Sequence, residues 1–120
     1  IDILPNGLMF WDEDDKLMAN NLSAVSLLKD FGIDLNIGIS RDKIREHMSY
    51  NGHIANPNKL THKAHVEKLK KDWRSFTGTR TRTNKFSNGK SLIFSETRLD
   101  DGSTISLRTD VNENNKQENR

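Results

Sequence analysis

The sequence has 120 residues, no Cys, a hydrophobic fraction of 32% and a formal net charge of +2. That length fits one compact domain with a small core, and the lack of Cys excludes disulfides, thiolate metal sites and cysteine nucleophiles. Apolar runs of only a few residues exclude a membrane-spanning helix, and with no signal peptide visible the expected location is cytoplasmic. Charge is unevenly spread. Residues 1–15 carry Asp2, Asp12, Glu13, Asp14 and Asp15 without a Lys or Arg, whereas residues 59–90 are strongly basic, with Glu67 and Asp72 as the only acids. The start at Ile1 and the polar tract at the other end read as cuts in a longer protein or as frayed linkers.

Residues 1–4 read as the last turn of a helix, ended by Pro5-Asn6-Gly7. Leu8-Met9-Phe10-Trp11 suits a buried strand, Asp12 to Asp15 a charged turn, and Lys16 to Ala19 a returning strand. Asn20 or Asn21 caps a helix in which Leu22, Val25 and Leu28 share a face, with Gly32 after its end. Residues 33–39 form an irregular connector. Ser40 caps a second helix, with Ile44 and Met48 as its inward pair and Gly52 closing it. After a loop over 53–60, a third helix runs from about Thr61 to Phe76, with Val66, Leu69, Trp73 and Phe76 as its apolar stripe.

From Thr77 the period drops to two. Thr79 to Thr83 alternates Thr with Arg, as expected of a strand with one wet face. Asn88-Gly89 and Asp101-Gly102 are hairpin signals bracketing a strand at 92–97. The last strand, 104–111, puts Ile105, Leu107, Thr109 and Val111 on one face. Two strands, three helices and a three-stranded meander predict an α+β domain with one five-stranded antiparallel sheet and helices packed on one face.

In this order the residues resemble PAS domains, especially the bacterial sensory-box subgroup found beside histidine kinases and diguanylate cyclases. Leu4 to Asp12 with Asp14-Asp15-Lys16-Leu17 looks like the family's opening hairpin, and Asn88 to Leu92 with Arg98 to Thr104 its late hairpin. Arg108-Thr109-Asp110-Val111 looks like its closing motif. Asn112 stands where that motif usually has Thr, and Ser91 where the late hairpin often has an aromatic. The resemblance implies a sensory domain over 1–112, a polar linker at 113–120 toward an output domain, and a sheet curled around the helices to enclose a pocket. By position, Phe10, Met18, Val25, Leu28, Ile44, Met48, Leu69, Trp73, Phe94 and Leu107 would line the pocket. Asp110, Val111 and Asn112 would form the signal exit. It also implies a homodimer formed through the N-terminal helix, with Ile1 and Ile3, and the adjacent sheet face. The module would be non-catalytic, its parent protein a histidine kinase or diguanylate cyclase.

Cofactor chemistry finds little support. Haem in such domains is held by a His on the helix before the meander, where His62 and His65 fall, but neighbouring Lys59 and Lys63 favour a wet surface there. As an i,i+3 pair, His62 and His65 are two ligands short of a structural metal site, so no metal is expected. A flavin adduct would need a Cys; non-covalent flavin would draw on Trp11, Trp73 and Phe side chains that read more simply as core. Asp12 to Asp15 cannot converge on one point from a turn, and no phosphate loop or nucleophile elbow occurs. The rival function is nucleic-acid binding by the basic segment 59–90, with Lys68, Lys70, Lys71, Arg74, Arg80 and Arg82 on phosphates and Trp73 or Phe76 stacked on bases.

Overall fold

The computed structural model describes residues 6–85, 89 and 91–110, with the backbone alone for Asn84 and Asp110. The expected helix end at 1–4, the Asn88 turn position, Val111, Asn112 and the linker at 113–120 lie outside these residues. The chain runs β1 (Asn6–Trp11), β2 (Leu17–Asn20), α1 (Leu22–Lys29), α2 (Arg41–Tyr50), α3 (His62–Arg74), β3 (Thr79–Lys85), β4 (Ser91–Arg98) and β5 (Thr104–Asp110). One five-stranded sheet results, in the order β2-β1-β5-β4-β3, with antiparallel neighbours throughout.

Short polar side chains set most of the boundaries. Asp12 Oδ1 accepts from the Asp14 and Lys16 amides at 2.8 and 2.9 Å, folding the acidic turn around one carboxylate while Asp15 takes a positive φ of 58°. Asn21, rather than Asn20, caps α1: its Oδ1 accepts from the Ala24 amide at 2.9 Å and from Leu8 at 3.0 Å, and its Nδ2 donates to the Asn6 carbonyl at 3.1 Å. A single residue thus starts the helix and ties it to β1. Ser40 caps α2 and Thr61 caps α3. Gly32 and Gly52 follow α1 and α2 with φ of 79° and 68°.

The main core joins Met9, Trp11, Leu17, Ala24, Leu27, Leu28, Phe31, Ile44, Met48, Leu92 and Phe94. The stripe of α1 differs from the expected one. Ala24, Leu27 and Leu28 are buried, whereas Leu22 is 86% exposed and Val25 half-buried. The turn of α1 is set by its contact at Gly7. A Cβ there would lie 2.8 Å from Leu27 Cδ1 and 3.1 Å from Ala24 Cα, so the helix rests directly on the β1 backbone.

Registers place two rows of residues under the helices: Gly7, Arg108, Phe94 and Arg82 in one, and Met9, Ser106, Glu96 and Arg80 in the next. The opposite face carries Leu8, Phe10, Ile93, Ile105 and Leu107, all half-buried. Phe10 and Leu107 therefore leave the position expected for pocket residues. On β5 the apolar alternation faces outward and the polar alternation faces the helices.

Candidate functional site

Between α2, α3 and the inner face of β3, β4 and β5 lies a cavity of about 80 Å³. Of the positions named from sequence, Ile44, Met48, Leu69, Trp73 and Phe94 line it, together with Phe31, Ile54 and Leu92. Of the other expected positions, Leu28 is buried in the main core away from it, Val25 lies over a surface groove, and Met18 is 56% exposed on β2. Met18 turns outward because its neighbour Leu17 takes the inward position, and a strand alternates. The signal-exit residue Asp110 pairs with Leu92 at the end of β5.

Apart from Phe31, Ile54 and Leu92, the lining residues that sequence reasoning missed are charged. Arg41 and Arg45 from α2, Arg80 and Arg82 from β3, Glu96 from β4 and Arg108 from β5 all line the cavity. Glu96 is 2% exposed and is held by Arg41 Nη2 and by Ser106 Oγ at 3.2 Å. Burial pushes its pKa up, but the charge and hydrogen bond of Arg41, with Arg108 and Arg82 behind it, outweigh that and hold the carboxyl below the usual range. Arg108 is 7% exposed, and its guanidinium stands 4.7 Å over the Phe94 ring. Burial, then the nearby Arg41, push its pKa down to about 9.

At the rim, Arg45 pairs with Asp42 at 2.5 Å, and Arg80 and Arg82 reach Asp72 at 3.3 and 3.2 Å. Trp73 organises this side. Its Nε1 donates to Asp15 at 2.8 Å, and the guanidinium groups of Arg41 and Arg98 lie 4.0 and 4.6 Å from its ring centre. Arg98 also donates to the Phe76 and Trp73 carbonyls at 3.2 and 3.3 Å, closing the end of α3. The signal for these roles was the strict alternation of Thr79 to Thr83. It marks one face of β3 as Arg, and the meander register turns that face under the helices.

The basic segment therefore divides. Arg80 and Arg82 turn inward to Asp72 and the cavity, and Trp73 and Phe76 are buried at 3% and 6% exposure, which removes the stacking surface a nucleic acid would use. Neither His62 nor His65 lines the cavity. His62 is exposed and stacked on Tyr50 at 4.4 Å. His65 is buried rather than on the surface, because Ser49 Oγ meets its Nδ1 at 2.7 Å. The cavity is also far below the ~300–1,000 Å³ typical of cofactor-sized clefts, which argues against haem or flavin inside it. Among the described residues no cluster of three or more His, Asp or Glu is placed to hold a metal, and no helix is long and apolar enough to cross a membrane.

Comparison with known proteins matches this architecture. The family described as PAS fold matches residues 1–119, and the chain belongs to it. Among solved structures, it is similar to the sensor region of a sensor histidine kinase, with 14% identity and a TM-score of 0.62 over 91% of this chain. The chain spans 40% of that protein. It is also similar to a domain of an HTR-like protein from Haloarcula marismortui, at 11% identity and TM-score 0.50, covering 90% of this chain and 99% of that one. The comparison with curated proteins gave no match.

Proposed function

We propose that this PAS domain is a non-catalytic, cytoplasmic sensor and dimerisation module that relays a ligand or partner signal to a linked output domain, a histidine kinase or diguanylate cyclase. The observation that carries the reading is the cavity itself. It is bounded by α2, α3 and the sheet, and one of its walls is β5, the last strand among the described residues. Arg108 in the cavity is two residues from Asp110, so a change in how Arg108 is held acts on the backbone at the end of the described chain, beside the proposed exit residues. A ligand that prefers one arrangement of β5 shifts the population of that arrangement.

In this reading residues 1–112 are the sensor, 113–120 the linker, and Asp110, Val111 and Asn112 the exit. The half-buried apolar face with Leu8, Phe10, Ile93, Ile105 and Leu107 is the dimer surface, joined by residues 1–4. The direct test is Asp110→Ala in the full-length protein: output should lose its response to signal, and an unchanged response removes the exit role. Analytical ultracentrifugation of the 120-residue chain tests the dimer, and a monomer at all concentrations rejects it.

A further inference from the structure

The inner face of this domain gathers buried positive charge. Inside the cavity Arg41 and Arg108 are 6% and 7% exposed, and Glu96 is the one carboxylate among the described lining residues. Arg41 Nη2 is taken by Glu96, but Arg41 Nη1 and Arg108 Nε are buried and have no hydrogen-bond partner among the described residues. Arg108 makes no ion pair within 4.0 Å there either. A buried donor without a partner is costly, and a buried guanidinium without one more so. Arginine does not relieve that cost by giving up its proton under ordinary conditions, so the natural remedy is an acceptor of opposite charge.

We propose that this cavity binds a small organic carboxylate, its oxygens received by Arg108 and Arg41 and its short carbon body set against Phe94, Ile44 and Met48. The inference rests on the sensory reading above and narrows it to a ligand class. Guanidinium forks match the planar, two-oxygen geometry of a carboxylate. The apolar lining favours a carbon body over a fully hydrated inorganic ion, and a volume of about 80 Å³ limits that body to a few carbons inside, with any extension leaving past Arg82 at the rim, whose side chain is 45% exposed. Burial already penalises the charge on Arg108, and the opposite charge of an incoming carboxylate offsets that penalty. Because Arg108 lies on β5 two residues from Asp110, ligand charge is read on the exit strand itself.

The test is calorimetric titration and thermal unfolding of the 120-residue chain with acetate, propionate and benzoate. The matching amides acetamide, propionamide and benzamide serve as neutral controls, and inorganic phosphate as a second oxyanion. The expected result is saturable binding and a raised Tm with at least one carboxylate, and none with its amide. Arg108→Gln should weaken that binding by about ten- to a hundredfold, the range for one hydrogen bond to a charged group. If Arg108→Gln does not fold, Arg82→Gln at the rim should selectively weaken benzoate, the probe long enough to reach it. Equal response to acids and amides overturns the carboxylate assignment while leaving ligand sensing intact, and so does binding of phosphate alone. No binding by any probe, with no bound mass in native mass spectrometry of the chain, overturns both.

Discussion

The two faces of the sheet follow opposite rules. Under the helices, β3, β4 and β5 carry Arg80, Arg82, Glu96, Ser106 and Arg108, whereas the outer face carries Leu8 and Phe10 on β1, Ile93 on β4 and Ile105 and Leu107 on β5. An ordinary one-sided sheet buries its apolar alternation and wets its polar one. On β5 the polar alternation is the buried one, beside an inner face that is apolar at Met9, Trp11, Leu92 and Phe94, and the buried polar groups are stabilised by pairing: Glu96 with Arg41 and Ser106, and guanidinium groups over Trp73 and Phe94. The apolar alternation is left half-buried on the outside, as expected of a surface that meets another element or chain. In the proposed reading, one face receives the ligand and the other associates.

Breaking the inner face should have the largest effect. Glu96→Ala removes the one carboxylate among the described residues lining the cavity and strands its partner Arg41, which should cost about 3–5 kcal/mol of stability, measured by urea unfolding at neutral pH. A loss near that of an ordinary surface substitution would show that the pair is solvated in practice. Next in size is the seat of α1. Gly7→Ala pushes a methyl against Leu27 and the Ala24 backbone and should cost about 1–3 kcal/mol, read as a lowered Tm. Asn21→Ala removes the cap of α1 together with its two ties to β1 and should cost about 1–2 kcal/mol.

The pH dependence sharpens the same contrast. Glu96 is held below its ordinary value of 4.5 in the folded chain, so its contribution is fully present above that value and is lost as pH falls through the depressed one. Unfolding free energy should therefore fall more steeply below pH 4.5 in the wild type than in Glu96→Gln. Parallel curves would mean that other carboxylates dominate acid unfolding. The smallest stability effect belongs to the outer face. Leu107→Ser should change monomer stability by about 1 kcal/mol or less while shifting the proposed dimer toward monomer in sedimentation. A large stability loss with unchanged association would reverse the roles given to the two faces.

Local chemistry made much of the fold legible without coordinates. The cap at Ser40, the turn at Asp12 to Asp15, the Gly residues after α1 and α2 and the Asp101-Gly102 hairpin are decided by neighbours a few residues apart, and period alone separates helices from strands. The stripe of α3 was legible for the same reason, and five of the ten expected pocket positions, Ile44, Met48, Leu69, Trp73 and Phe94, do meet in one cavity. Facing is a different matter. A strand shows two alternating faces, and which one the helices cover depends on partners far along the chain: Arg41 lies 55 residues from Glu96, and Asp15 lies 58 from Trp73. A rule that buries apolar residues puts Phe10 and Leu107 inside and leaves Glu96 in water, because it has no knowledge of the Arg41 guanidinium that meets it from α2. Burying a guanidinium is favourable only once its partner is in place, and the partner is brought there by the register of the sheet and the seat of α2, neither of which any short stretch of the chain contains.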